Sequence, residues 1–224
     1  MSDILEADSI TKAFGRRPIL TDIFLKCETG DILGLMGRNG TGKSTLLKIL
    51  FGTLKADNKF LRINGEVCPK PFTKNDLICY LPQDSFLPGN LQVERAIELY
   101  LGREAVLLFL QDEYLCNVNG SQVSSLSGGE LRYLEIKLLL NLKSKFILLD
   151  EPFNGISPLV VEGIKAMILA ASATKGIILS DHDFRNVLDV SNRCCLLLDG
   201  GIKTISYPEE LVKWGYVSAS KFQN

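Results

Sequence analysis

The residues Gly37-Arg38-Asn39-Gly40-Thr41-Gly42-Lys43-Ser44-Thr45 follow the apolar run Ile32 to Met36 and precede a second apolar run, Leu46 to Phe51. A strand, a glycine-rich loop and a helix in that order constrain the fold more than any other stretch of the chain. The form G-x-x-x-x-G-K-[ST] aims consecutive backbone N–H groups at a phosphate, and a Cβ at Gly37, Gly40 or Gly42 would obstruct the wrap. The following helix adds unpaired N–H groups and the positive end of its dipole. Lys43 can then reach the β- and γ-phosphates, and Ser44 can offer its hydroxyl to Mg²⁺. Residue frequencies alone produce the bare pattern in roughly one chain of this length in a hundred, and the flanking strand and helix cut that further. The loop predicts an ATP or GTP site.

A length of 224 residues with 46% hydrophobic residues is enough for a full core and suits one domain with elaborations or two small lobes. The formal net charge of −1 offers no electrostatic reason to expect nucleic acid or anionic membrane as a partner. No apolar stretch approaches the roughly 18 to 20 residues that span a bilayer, and Met1-Ser2-Asp3-Ile4 lacks the basic-then-apolar opening of a signal peptide. A cytoplasmic protein with no direct membrane insertion is expected. The cysteines at 27, 68, 79, 116, 194 and 195 show no C-x-x-C spacing, so packed, reduced thiols are expected in preference to disulfides or a metal site.

Two β-rich runs, Ile4 to Phe14 and Ile19 to Cys27, flank the turn-prone Gly15-Arg16-Arg17-Pro18, and Asn64-Gly65 marks a hairpin that completes an N-terminal antiparallel sheet. The runs Leu77–Leu81, Phe146–Asp150 and Gly176–Ser180 read as strands buried on both faces. Helical spacing runs from Leu91 to Cys116, again after Ser127-Gly128-Gly129, and from Val160 to Ala171. Asp199-Gly200-Gly201 predicts a closing hairpin, and Pro208 predicts the first position of a last short helix. Alternating strands and helices give a phosphate-loop α/β core with a mixed, mainly parallel sheet.

The run Phe146 to Leu149 ends in Asp150-Glu151 at the edge of the sheet where ligands bind. One carboxylate can hold Mg²⁺ while the other polarises a water in line with the γ-phosphate. Together with Leu126-Ser127-Gly128-Gly129-Glu130, Gln83 and Ser180-Asp181-His182-Asp183, this chain resembles the ATP-binding-cassette (ABC) ATPases over essentially its whole length. The resemblance implies one domain over 1–224 with a helical subdomain inserted at about 84–135. It implies that Gly37, Asn39, Gly40, Thr41, Gly42, Lys43, Ser44 and Thr45 bind ATP, with Phe14 stacking on adenine. Ser44, Gln83 and Asp150 would hold Mg²⁺, and Glu151, His182 and Lys43 would act in hydrolysis. Ser127, Gly128 and Gly129 would face the γ-phosphate bound by another subunit, making the working ATPase a homodimer assembled on ATP.

Three positions depart from the pattern. Glu130 replaces the usual Gln, Ser157 replaces an Asp that couples the two sites, and Leu131-Arg132-Tyr133 lacks one Arg. The resemblance implies a transporter subunit working through separate transmembrane permease subunits. Two other readings stand beside it: a soluble cassette ATPase of a non-transport machine such as iron–sulfur assembly, and an ATP-gated regulatory module with little turnover.

Overall fold

The computed structural model describes residues 2–74 and 76–219. The expected domain over 1–224 therefore extends past the described residues at both ends. Strands β1 (Ile4–Phe14) and β2 (Arg17–Glu28) form a hairpin. β4 (Asn58–Ile63) pairs antiparallel with β1, and the two-residue β5 (Glu66–Val67) closes the order β2-β1-β4-β5. The β4–β5 turn is the expected Asn-Gly one: Asn64 and Gly65 both take left-handed φ, 55° and 81°, as the primed hairpin turn requires.

The second sheet has six strands. β3 (Ile32–Met36), β6 (Ile78–Leu81), β7 (Phe146–Asp150), β8 (Gly176–Ser180), β9 (Arg193–Leu198) and β10 (Gly201–Ile205) stand in the order β10-β9-β3-β8-β7-β6. All neighbours are parallel except the β9–β10 hairpin. This is the mixed, mainly parallel sheet that the alternation of buried runs predicts.

β3, β7 and β8 are buried at every residue, and their period of two divides them between two cores. Leu33, Leu35, Phe146, Leu148 and Ile178 face α1 (Lys43–Phe51) and the antiparallel sheet. Ile32, Met36, Ile147, Leu149, Ile177 and Leu179 face the other helical layer. That layer contains α4 (Gly128–Asn141), α5 (Pro158–Ser172) and α6 (Phe184–Val190). Each fully buried side chain of this size contributes roughly 1.5–3 kcal/mol.

α6 was not expected from the sequence. It is only about two helical turns long and carries too little periodicity to register, yet Asp183 caps it by accepting from the Arg185 N–H at 3.0 Å. It packs on β3 at Gly34, where a Cβ would stand 2.3 Å from Val187 Cγ1.

The helical stretch expected over Leu91 to Cys116 is two helices, α2 (Val93–Leu101) and α3 (Arg103–Leu110), broken at Gly102 with φ 88°. Residues 111–116 turn instead of continuing the helix. Pro208 is also displaced from its expected place: α7 (Glu210–Lys213) begins after an N-cap at Glu209, one residue beyond the proline. Cys27, Cys68, Cys79 and Cys195 are buried free thiols, and burial pushes Cys79 and Cys195 up to about 12.

Candidate functional site

β3 delivers the chain to the phosphate loop at the carboxyl edge of the parallel sheet. Gly42 ends the loop as N-cap of α1 with φ 108°, and a Cβ there would meet Ile19 Cγ2 at 2.6 Å. Both its conformation and the approach of β2 therefore require glycine. Lys43 is buried and donates to the carbonyls of Gly37 at 2.7 Å and Arg38 at 3.3 Å. Burial pushes its ammonium below the ordinary lysine value, while Glu151, Asp150 and Asp181 oppose the shift. The three carboxylates thus offset part of the cost of burying this ammonium.

That cavity, about 590 Å³, is lined by Phe14, Ile19, Asn39, Gly40, Gly42, Lys43, Ser44, Thr45, Gln83, Glu151, Asn154 and His182. Most of the residues expected to hold nucleotide thus converge, from segments as far apart as β1 and the loop after β8. Gly37 and Thr41 do not line it; the Thr41 hydroxyl donates back to Arg38 O at 2.8 Å and tightens the loop. Ser127, Gly128 and Gly129 do not line it either. Phe14 is 52% exposed at its rim, an exposure that leaves a ring face available for stacking.

Asp150, at the end of β7, lies fully buried behind Ser44. Its Oδ1 accepts from Ser44 Oγ at 3.1 Å and Ser180 Oγ at 2.8 Å, and its Oδ2 accepts from Tyr80 Oη at 2.9 Å. Gln83 Nε2 donates to Ser44 Oγ at 3.1 Å. Gln83, Ser44 and Asp150 therefore touch in sequence; the Ser44 hydroxyl and the Asp150 carboxylate are hard oxygen donors that suit Mg²⁺ brought in by phosphates, and Gln83 presents its amide group beside them.

The next residue, Glu151, takes a left-handed φ of 51° while its N–H donates to Ser180 O at 2.8 Å. For a non-glycine residue this conformation costs on the order of 1–3 kcal/mol. The kink turns the carboxylate out of the sheet and into the cavity, where Asn154 Nδ2 donates to Oε2 at 3.4 Å. His182 follows β8 and is half exposed, its Nδ1 3.5 Å from Asp181 Oδ1. Asp181 is buried and accepts from the N–H groups of Phe153 at 3.3 Å and Asp183 at 2.9 Å. Burial pushes its carboxyl up, and these hydrogen bonds and His182 pull the other way.

Ser127 caps α4, and Glu130 completes a capping box. Glu130 Oε2 accepts from Ser127 N at 2.8 Å and Ser127 Oγ at 2.6 Å, while Ser127 Oγ accepts from Glu130 N at 3.3 Å. The unusual acid is thus spent on the helix start, offsetting the positive end of the dipole. Tyr133, in the stretch that lacks one Arg, donates to Asp112 Oδ2 at 2.9 Å beside Lys137 Nζ at 2.6 Å. Ser157 is the N-cap of α5 and makes no side-chain capping bond.

Arg132 and Glu135 were not singled out from the sequence. Arg132 donates to the carbonyls of Pro82 at 2.7 Å, Asp150 at 2.7 Å and Glu151 at 3.1 Å. Its partner Glu135, 3.6 Å away, accepts from Ser85 Oγ at 2.7 Å and Phe86 N at 2.9 Å. This buried pair ties α4 to the segment around Gln83 and to the end of β7. The available signal was charge at core-facing positions of α4. Glu135→Gln keeps the shape and removes the counter-charge, and a loss of about 2 kcal/mol is expected. Urea unfolding measures it; an unshifted midpoint would mean that Arg132 needs no anionic partner.

A second cavity, about 730 Å³, opens between the end of α1, β6 and α2, beside the Gln83 segment. Its aromatic wall runs from Phe72 through Phe51 to Tyr80, with ring centroids 5.8 and 5.5 Å apart, and Phe86 and Tyr100 face it at 5.7 Å from one another.

A mainly parallel sheet with a glycine loop, a lysine and two carboxylates at its carboxyl edge defines a phosphate-loop nucleotide-binding ATPase. The chain belongs to the ABC transporter family, whose model, described as ABC transporter, matches residues 20–154. It is an ATP-binding, ATP-hydrolysing subunit of an ABC transporter. It is 30% identical over 225 residues to the lipopolysaccharide export system ATP-binding protein LptB of Acidithiobacillus ferridurans, covering 95% of this chain and 93% of that one. It is 32% identical over 221 residues to a probable ABC transporter ATP-binding protein of Azorhizobium caulinodans, covering 93% of this chain and 79% of that one. The fold matches the structure of an ATP-binding subunit of an ABC transporter with a TM-score of 0.83, at 22% identity over 98% of this chain and 97% of that one. Among the described residues no helix is long and apolar enough to cross a membrane.

Proposed function

We propose that this subunit binds MgATP in the cavity of Lys43, hydrolyses it with Glu151, and transmits the resulting motion to separate transmembrane subunits seated in the aromatic groove. The convergence of Lys43, Ser44, Gln83, Glu151 and His182 on one cavity carries the reading. In it, the backbone of Asn39, Gly40, Gly42 and Thr45 cradles the phosphates, Gly37 and Thr41 shape the loop, and Phe14 stacks on adenine. Lys43 exchanges the Gly37 and Arg38 carbonyls for phosphate oxygens. Ser44, Asp150 and Gln83 would hold Mg²⁺, which would supply charge neutralisation for the nucleotide's phosphates. Glu151 accepts a proton from the attacking water, oriented by its strained backbone and by Asn154. His182 donates to the γ-phosphate, with Asp181 holding its ring.

Ser127, Gly128 and Gly129 stay outside this cavity, which supports a second copy of the chain as their target. Each nucleotide would lie between the phosphate loop of one copy and the α4 start of the other. The helices between β6 and β7 then act as an inserted subdomain, hinged on the Arg132–Glu135 pair. The protein would work at the cytoplasmic face of a membrane.

Purification of the tagged full chain from detergent-solubilised native membranes tests the reading. A co-purifying polytopic membrane protein, lost when Leu99, 58% exposed on the groove wall, is changed to Asp, is the expected result. Recovery of soluble partners alone would replace the transporter with a non-transport machine.

A further inference from the structure

Asp150 does not line the nucleotide cavity, and its orientation depends on the hydroxyls around it. Two of them, on Ser44 and Ser180, converge on Oδ1 from α1 and β8. The third, Tyr80 Oη, reaches Oδ2 at 2.9 Å from β6, the strand that leads to Gln83. Rotation about the terminal carboxylate torsion is soft. A donor fixed on Oδ2 removes that freedom and leaves Oδ1 facing Ser44, and a bond to an ionised acceptor is among the stronger ones.

The other end of the same side chain belongs to a different surface. The Tyr80 ring packs on Phe51 at 5.5 Å between centroids and walls the aromatic groove. No other residue both walls that groove and bonds to Asp150 among the described contacts.

We propose that Tyr80 is a positioning residue for the nucleotide's metal: its hydroxyl locks Asp150 Oδ2 so that Oδ1 faces Ser44, and its ring ties that orientation to the groove. The inference rests on the assignment of Asp150 to the metal made above. A partner pressing on the Phe51–Tyr80 stack acts on the metal-facing carboxylate through one side chain, without moving Gln83.

Tyr80→Phe tests this, because it keeps the ring, the stack and the groove wall and deletes a single donor. Mn²⁺ is titrated into the full chain with a fluorescent ATP analogue, and the metal concentration giving half-maximal nucleotide binding is read, with Asp150→Asn alongside. Tyr80→Phe is expected to raise that concentration on the order of tenfold, as loss of a group supporting a metal ligand does, and to leave the residual affinity in EDTA unchanged. Phe51→Leu, which removes the ring behind Tyr80, is expected to move it in the same direction; no shift there would overturn the link to the groove. A raised requirement in Asp150→Asn with none in Tyr80→Phe would overturn the proposal and leave the metal assignment standing. No change in either variant would overturn the assignment of Asp150 itself. A lower melting temperature in Tyr80→Phe at an unchanged metal requirement would reduce Tyr80 to packing and also overturn the proposal.

Discussion

Glu151→Gln is expected to slow steady-state ATP hydrolysis about a thousandfold, the upper-middle range for loss of a positioned general base. ATP affinity should stay within about twofold, because the amide has the carboxylate's shape and does not touch the loop that holds the phosphates. The structure gives the reason for so selective an effect. Glu151 pays for a left-handed backbone that aims its side chain into the cavity, and its main chain is held independently by Ser180 O and Arg132. The Gln variant keeps that frame and loses only the base. Phosphate release and fluorescent-nucleotide binding, measured on the same preparation, separate the two quantities. Undiminished turnover would remove Glu151 from the mechanism. The same variant should persist as an ATP-dependent dimer in size-exclusion chromatography, since a closed pair that cannot hydrolyse has no route to opening.

Lys43→Ala acts one step earlier. Its ammonium is the loop cation that lines the cavity, buried and held by two loop carbonyls. Removal leaves the β- and γ-phosphates without a charge-assisted donor and the Gly37 and Arg38 carbonyls without their partner. A loss in ATP affinity on the order of a thousandfold, roughly 4 kcal/mol, is expected. Isothermal titration with MgATP measures it, and unchanged affinity would refute the assignment of the loop. Because Lys43 bonds only to its own loop, thermal stability without nucleotide should change far less than binding does. That contrast distinguishes a site residue from a core one.

Much of this site is local in sequence and legible for that reason. The phosphate loop needs its glycines, lysine and serine at fixed spacing, and the buried strands ending in Asp150-Glu151 and Ser180-Asp181-His182 declare both their burial and their exit. The helix start after Ser127-Gly128-Gly129 was legible as well, because it depends on a few consecutive residues. Glu130, by contrast, stood out only as a departure from the usual Gln, and only its bonds to Ser127 show it completing a capping box. Arg132 and Glu135 were passed over because a charged pair spaced i, i+3 on a helix ordinarily faces water, and charge at core-facing positions of α4 was the one local sign of their burial. Tyr80 was hidden inside an apolar strand run, where an aromatic residue normally means packing. α6 and the break at Gly102 were missed because a short helix carries too little periodicity and a helix start directly after a glycine continues the same apolar pattern.

By itself, the sequence determined the nucleotide loop, the parallel core and the order of its strands along the chain, since each depends on neighbours within a few residues and on the periods of strand and helix. It also carried the family resemblance, which the comparisons bear out. The tertiary structure alone decided which face of β7 looks toward α1, that Tyr80 bonds to Asp150 across adjacent strands, and that Arg132 reaches three carbonyls on two separate segments. The physical reason is that a hydrogen bond between groups dozens of residues apart leaves no periodic trace. It exists only once packing has brought strand ends and a helix together and removed the water that would otherwise satisfy both partners.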